Sequence, residues 1–75
     1  MSTRDNLIEI FVRVLKTSTD NATSLVKNEG KWDSVVHVNL IYECEEFFDI
    51  EFSLDQIDKV DSFSSLLETI EANLE

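Results

Sequence analysis

Proline is missing from this chain of 75 residues, and glycine occurs once, at Gly30. Tight β-hairpins depend on residues that tolerate a positive φ or that fix φ, and Gly and Pro supply most of these positions. The composition is nevertheless globular, with 43% hydrophobic and 29% charged residues. We therefore expect an all-α fold with one domain over residues 1–75, because so short a chain builds only one small core.

Apolar residues at helical spacing predict a helix at each end of the chain. The first runs from about Thr3 to Thr17 after a Ser-Thr-Arg-Asp capping signal. Its expected apolar face consists of Leu7, Ile8, Phe11, Val14 and Leu15. The last helix runs from Ser62 to Leu74, and its apolar stripe consists of Phe63, Leu66, Leu67, Ile70 and Leu74.

The middle of the chain predicts a long loop and two further helices. Residues 17–31 are rich in Ser, Thr, Asn and Asp, which favour turns, and Leu25 and Val26 are expected to tie this loop to the core. A second helix follows the loop. After it, Ile50 and Phe52 alternate with polar residues, as in an extended connection. Ser53 is expected to cap a short third helix that carries Leu54, Ile57 and Val60.

The second helix has two apolar faces. The core face is predicted to contain His37, Leu40, Ile41, Cys44, Phe47 and Phe48. On the opposite side lie Val35, Val38 and Tyr42, framed by Asn39, Glu43, Glu45 and Glu46. One interpretation makes Val35, Val38 and Tyr42 ordinary core residues. We favour the other, in which they form a partner-binding surface, because apolar patches with a charged rim commonly mark interaction sites.

The charge of the chain is concentrated in its second part. The net charge is −10, and residues 32–75 contain twelve acidic residues against one lysine, whereas residues 1–31 are close to neutral. Such a surface repels phosphate backbones and anionic lipids and attracts basic protein patches. We therefore expect protein partners, and neither nucleic acid nor membrane.

A candidate site stands at the start of the second helix, in the sequence Trp32-Asp33-Ser34-Val35. Asp33 can cap the helix, which leaves Ser34 in its first turn. Free amide groups and the positive end of the helix dipole favour a phosphate there. Ser34 is thus suited to carry a phosphodiester.

Two motifs of the chain resemble the acyl carrier proteins, the phosphopantetheine-binding carrier family. Asp33-Ser34-Val35 is similar to that family's Asp-Ser-Leu attachment motif, and residues 45–52 (EEFFDIEF) resemble the stretch Glu-Glu-x-Phe-Gly-Ile-x-Ile that ends its second helix. The similarity covers about Trp32 to Leu74. In residues 1–31 it is limited to the helix pattern.

The resemblance implies a four-helix bundle with a long loop between helices 1 and 2 and a short third helix. It also implies that the protein carries cargo for other enzymes. A phosphopantetheinyl transferase would attach 4'-phosphopantetheine from coenzyme A to Ser34, beside Asp33. The arm's thiol would hold an acyl or aminoacyl group, loaded by a ligase or acyltransferase and passed to downstream biosynthetic enzymes. The chain would then be a monomeric carrier and not itself an enzyme. The alternative is an acidic helical module that binds a basic protein without a prosthetic group.

Several positions depart from the family pattern. Val35 replaces the usual Leu, Asp49 replaces the usual Gly, and Val36 and Asn39 stand where carriers of bulk fatty acid synthesis often have acids. With Trp32 before the motif and His37 three residues after Ser34, the chain resembles a subset of stand-alone carriers from specialised pathways. A specialised carrier is therefore the stronger expectation.

The remaining polar groups predict no catalytic or metal site. His37 is expected to be partly buried and hydrogen-bonded to the loop, and Trp32 to pack under it. Cys44 falls in the core stripe, cannot form an internal disulfide and should behave as a small hydrophobe. Asp55, Asp58 and Asp61 lack calcium-loop spacing. With no export signal or membrane span in the sequence, we expect a cytoplasmic protein.

Overall fold

A computed structural model describes residues 2–74, which form five α-helices and no β-strand. The helices are α1 (Thr3–Leu15), α2 (Thr19–Ala22), α3 (Ser34–Phe48), α4 (Leu54–Lys59) and α5 (Phe63–Leu74). The all-α prediction is confirmed. The predicted long loop differs from expectation because it contains the additional single-turn helix α2.

Helix α1 begins and ends at residues that the local sequence explains. The Ser2 hydroxyl accepts a hydrogen bond from the Asp5 amide at 3.1 Å, which caps the first turn. Lys16 then adopts the left-handed conformation (φ 54°, ψ 46°), so the helix ends two residues before the predicted Thr17. The buried side chains are Leu7, Ile10, Phe11 and Leu15, and Ile8 and Val14 lie half-buried at the margin.

The segment between α1 and α3 is fastened to the rest of the protein at several points. Val26 forms an isolated antiparallel bridge with Ser62, and the amide of Lys27 donates to the Asp61 carbonyl at 2.8 Å. Leu25 is half-buried against the core. The segment therefore reaches α3 from a fixed direction.

The core of the protein is centred on three aromatic rings. Phe11 makes edge-to-face contacts with Trp32, at 5.3 Å between ring centroids, and with Phe63, at 5.1 Å. Trp32 is fully buried, as expected for a side chain under the loop. The first helix, the end of the loop and the last helix thus meet at Phe11.

Helix α3 is more exposed near its C-terminus than its sequence suggests. His37, Leu40, Ile41 and Cys44 are buried, and Phe48 is half-buried. The prediction for Phe47 is wrong, because half of its side chain is exposed. Phe47 lies about 60° from Cys44 around the helix, at the margin of the buried arc, and packs edge-on against Phe48.

The prediction made from the apolar spacing after α3 is only partly correct. Phe52 is buried and Ile50 half-buried, as expected for the extended connection, and Ser53 and Gln56 form a capping box at the start of α4. Leu54, however, is 81% exposed. A three-residue repeat does not stay on one face of a 3.6-residue helix, and the buried Val60 lies beyond α4 in extended backbone.

Helix α5 follows its predicted stripe until its last turn. Phe63, Leu66 and Ile70 are buried and Leu67 is half-buried. Leu74 is 46% exposed, contrary to expectation, because it is the last residue of the helix.

Candidate functional site

The start of α3 has the capped geometry that the sequence predicted. Asp33 lies in extended backbone, and its Oδ1 accepts a hydrogen bond from the Val36 amide at 2.9 Å. The Asp33 carbonyl accepts the first helical bond, from His37 at 2.9 Å. Ser34 is the first helical residue and is exposed. Its hydroxyl is therefore accessible at the positive end of a helix of 15 residues.

Two backbone amides beside the Ser34 hydroxyl are available to donate hydrogen bonds. The Asp33 cap uses the amide of Val36, and within residues 2–74 the amides of Ser34 and Val35 donate to no acceptor of the chain. The first amides of a helix lack intrahelical partners and favour anionic oxygens. The residues present thus fit a phosphodiester on Ser34.

The apolar strip of α3 lies on the surface of the protein. Val35, Val38 and Tyr42 are 69%, 64% and 57% exposed. The interpretation of these residues as ordinary core is therefore wrong. They form one strip along the helix that begins directly beside Ser34.

The polar residues around this strip have different environments. Arg13 of α1 donates to Glu43 Oε1 at 2.6 Å. The carboxylate of Glu45 accepts a hydrogen bond from the Phe52 amide at 2.9 Å. Asn39 and Glu46 are exposed. Two of the three predicted partner-binding carboxylates thus also contact other segments of the chain, and in the described part of the chain Glu46 forms no ion pair.

His37 and Trp32 are joined on the inner side of the candidate site. The indole Nε1 of Trp32 donates to His37 Nδ1 at 3.0 Å, and the two rings stack with 5.9 Å between centroids. His37 Nε2 lies 3.1 Å from the carbonyl oxygen of Ile57 in α4. The expectation for His37 is only partly correct: its ring is hydrogen-bonded, but its partners are Trp32, which directly follows the loop, and Ile57, and it is buried rather than partly buried.

Burial governs the acid–base properties of both inner titratable side chains. Burial lowers the pKa of His37, with a smaller lowering from Lys27, while the Ile57 carbonyl and Asp58 act in the opposite direction. Burial, aided by Glu43 and Glu45, raises the pKa of Cys44 to about 12. The expectation that Cys44 packs as a core residue is confirmed.

Two pockets formed by the described residues lie away from Ser34. A pocket of about 460 Å³ lies between the end of α1, α2 and the loop, and one of about 550 Å³ lies along α1; Ser34 lines neither. Among residues 2–74 no three His, Cys, Asp or Glu side chains come together as metal ligands. None of the described helices combines the length and apolar character needed to cross a bilayer.

Sequence reasoning missed three contacts around the site: Arg13 with Glu43, Glu45 with the Phe52 amide, and His37 with Ile57. All three join different segments of the chain, and no local spacing indicates them. Comparison with known proteins identified no matching family model, curated protein or solved structure.

Proposed function

We propose that this protein is a carrier that holds an acyl or aminoacyl group as a thioester on 4'-phosphopantetheine attached to Ser34. One observation carries the proposal: an exposed serine stands as the first residue of a long helix, directly after an aspartate that caps it. The Asp-Ser-Val sequence at this point resembles the attachment motif of carrier proteins. In such a bundle of four helices, α1, α3, α4 and α5 would correspond to the family's helices.

The chain's own residues would hold the phosphate end of the arm. Ser34 would supply the ester oxygen, and its amide, with that of Val35, would face the phosphate oxygens. Asp33 keeps the first turn in place through the Val36 amide. The arm itself would supply a thiol that carries the cargo. Catalysis of attachment, loading and transfer would be performed by separate enzymes.

The surface beside Ser34 supports a role in docking such enzymes. The strip of Val35, Val38 and Tyr42 is exposed and borders Glu46, so a partner with an apolar centre and a basic rim would complement it. A phosphopantetheinyl transferase, a cargo-loading ligase or acyltransferase and downstream enzymes would share this surface. The protein would act as a monomer in the cytoplasm, in a specialised pathway.

Attachment of the arm tests the proposal directly. Incubation with coenzyme A and a broad-specificity phosphopantetheinyl transferase should add one arm to the intact protein, detected by mass spectrometry. Ser34→Ala should remain unmodified. Ser64→Ala is the matched control, since Ser64 is an exposed serine at the second position of α5, and this variant should be modified like the wild type. No mass increase with several transferases would refute the proposal.

The same exposed strip also supports a second candidate function. The protein could bind a basic partner through Val35, Val38 and Tyr42 while Ser34 stays unmodified. In that case protein isolated from its native cells would lack the phosphopantetheine arm. The Ser34→Ala variant would still bind the basic partner and remain functional. Modified native protein together with an inactive Ser34→Ala variant would exclude this candidate.

A further inference from the structure

Ser34 lies between two side chains that are hydrogen-bonded to each other. Trp32 ends the loop and His37 is in the first turn of α3, and their rings are joined at 3.0 Å across the five-residue interval that contains Ser34. Asp33 caps the same turn through Val36. The backbone that carries Ser34 is thus closed by a side-chain link on the inside of the protein.

The donor and acceptor roles in this link follow from the chemistry of the rings. An indole nitrogen can only donate, so His37 Nδ1 must be the acceptor and carries no proton. The proton of the neutral imidazole is then on Nε2, which donates to the Ile57 carbonyl at 3.1 Å. A chain of two hydrogen bonds therefore runs from Trp32 through His37 to α4.

Protonation of His37 is incompatible with this chain. A second proton on the ring must go to Nδ1, where it meets the Trp32 N–H, and two donors cannot share a hydrogen bond. Trp32 is fully buried and His37 is 4% exposed, so water does not readily replace the lost partner. The bond to Ile57 can remain, because Nε2 stays a donor.

We infer that Trp32, His37 and the Ile57 carbonyl form a clamp that positions Ser34 for modification, and that protonation of His37 opens it on the Trp32 side. The consequence for Ser34 rests on the proposed carrier function, whereas the clamp itself does not. His37 is a positioning residue in this scheme, acting through the first turn of α3. Acidification would loosen that turn and slow modification of Ser34.

The charged groups that face His37 act in opposite directions on its protonation. Lys27 of the loop disfavours the protonated ring, and Asp58 of α4 favours it. Burial is the larger influence and keeps the ring neutral, so its pKa lies below the ordinary value of 6.5. The clamp is therefore closed at neutral pH.

The first test observes the clamp in the intact protein without any transferase. The sequence contains one His and one Trp, so the ring signals of both can be assigned without ambiguity. At pH 7, ¹⁵N spectra should show the neutral His37 ring with its proton on Nε2 and a Trp32 indole proton protected from exchange. Both signals should change together at a midpoint below pH 6.5. A proton on Nδ1, a midpoint at or above 6.5, or an unprotected indole proton would overturn the clamp.

The second test measures modification of Ser34 in clamp variants. His37→Asn retains an oxygen near the position of Nδ1 that can accept from Trp32 but cannot titrate, whereas His37→Leu leaves the indole donor buried without an acceptor. We expect kcat/KM to be about tenfold lower for His37→Leu than for His37→Asn, the factor expected for one buried hydrogen bond. If His37→Leu does not fold, Trp32→Phe can replace it, because this change breaks the same hydrogen bond by removing the indole donor.

The pH dependence separates positioning from stability. The wild-type rate, divided by that of His37→Asn with the same transferase, should fall as the pH drops through the His37 midpoint. Ile70→Val, a mild core change in α5, should show the wild-type pH dependence even though it destabilises the fold. A ratio that does not change with pH would refute positioning by His37. Wild-type protein that is never modified, with the clamp intact by NMR, would refute the carrier proposal alone.

Discussion

Asp49 at the end of α3 offers a sensitive test of how local geometry sets the stability of this protein. It adopts the left-handed conformation (φ 55°, ψ 52°), and its amide donates to the Glu45 carbonyl. The last turn of α3 contains Glu45 and Glu46 and no basic residue. Asp49 therefore combines a backbone conformation that glycine prefers with a negative charge at the negative end of a helix dipole.

Two substitutions separate these contributions. Asp49→Asn removes only the charge, which should raise the free energy of unfolding by about 0.5 kcal/mol, near the low end for an exposed dipole interaction. Asp49→Gly also relieves about 1 kcal/mol of left-handed strain. It loses about 0.7 kcal/mol through the greater freedom of glycine in the unfolded chain. The net gain for Asp49→Gly is thus about 0.8 kcal/mol.

Thermal unfolding followed by circular dichroism can resolve this difference. For a domain of this size, about 1 kcal/mol corresponds to 4–8 °C, so Asp49→Gly should raise Tm by about 5 °C and Asp49→Asn by about 3 °C. In about 1 M salt the gain of Asp49→Asn should nearly vanish, while the difference between the two variants should persist.

Glu51→Gln provides the control for general charge reduction. Glu51 is an exposed acid in the extended segment after α3, so this change removes one charge without touching a helix end. Its effect on Tm should be smaller than that of Asp49→Asn. The reasoning would be refuted by a lower Tm for Asp49→Gly, or by an equal gain from Glu51→Gln.

Three further predictions concern the cap, the cysteine and the charge. Asp33→Ala should lower the free energy of unfolding by about 1 kcal/mol, while Asp33→Ser should retain most of it; equal denaturation midpoints would contradict the capping role. Native Cys44 should react with a disulfide reagent at pH 8 about a thousandfold more slowly than free cysteine, because burial raises its pKa to about 12 and little thiolate forms; rapid labelling without denaturant would show that the thiol is accessible. Salt should raise the wild-type Tm by screening the twelve acids of residues 32–75, and an unchanged or lower Tm would exclude this repulsion.

Features that depend on neighbours in the chain were predictable. The caps at Ser2, Asp33 and Ser53 each join a side chain to an amide three residues later, so a tetrapeptide contains the whole interaction. The exposure of the strip beside Ser34 also follows from helical geometry, because the opposite face of α3 holds the larger apolar set. The position of Ser34 at the start of a helix was therefore available from the sequence.

The exposure of residues at the margins of the core was less predictable. Phe47 and Leu54 are as apolar as their buried neighbours, but whether a helix or loop covers them depends on how the segments pack. Helix α2 was missed because a four-residue helix leaves no periodic pattern to detect.

The sequence by itself determined the all-helical fold, the capped helix start and the place of Ser34 in its first turn, since each depends on composition or on spacings within one or two helical turns. Only the tertiary structure decided which residues Trp32 and His37 contact on the inner side of the site. Trp32 meets Phe11, and His37 meets the carbonyl of Ile57 twenty residues away. Such contacts form when separate segments bury their apolar faces together, and the resulting exclusion of water is what fixes the tautomer of His37 and makes its protonation costly.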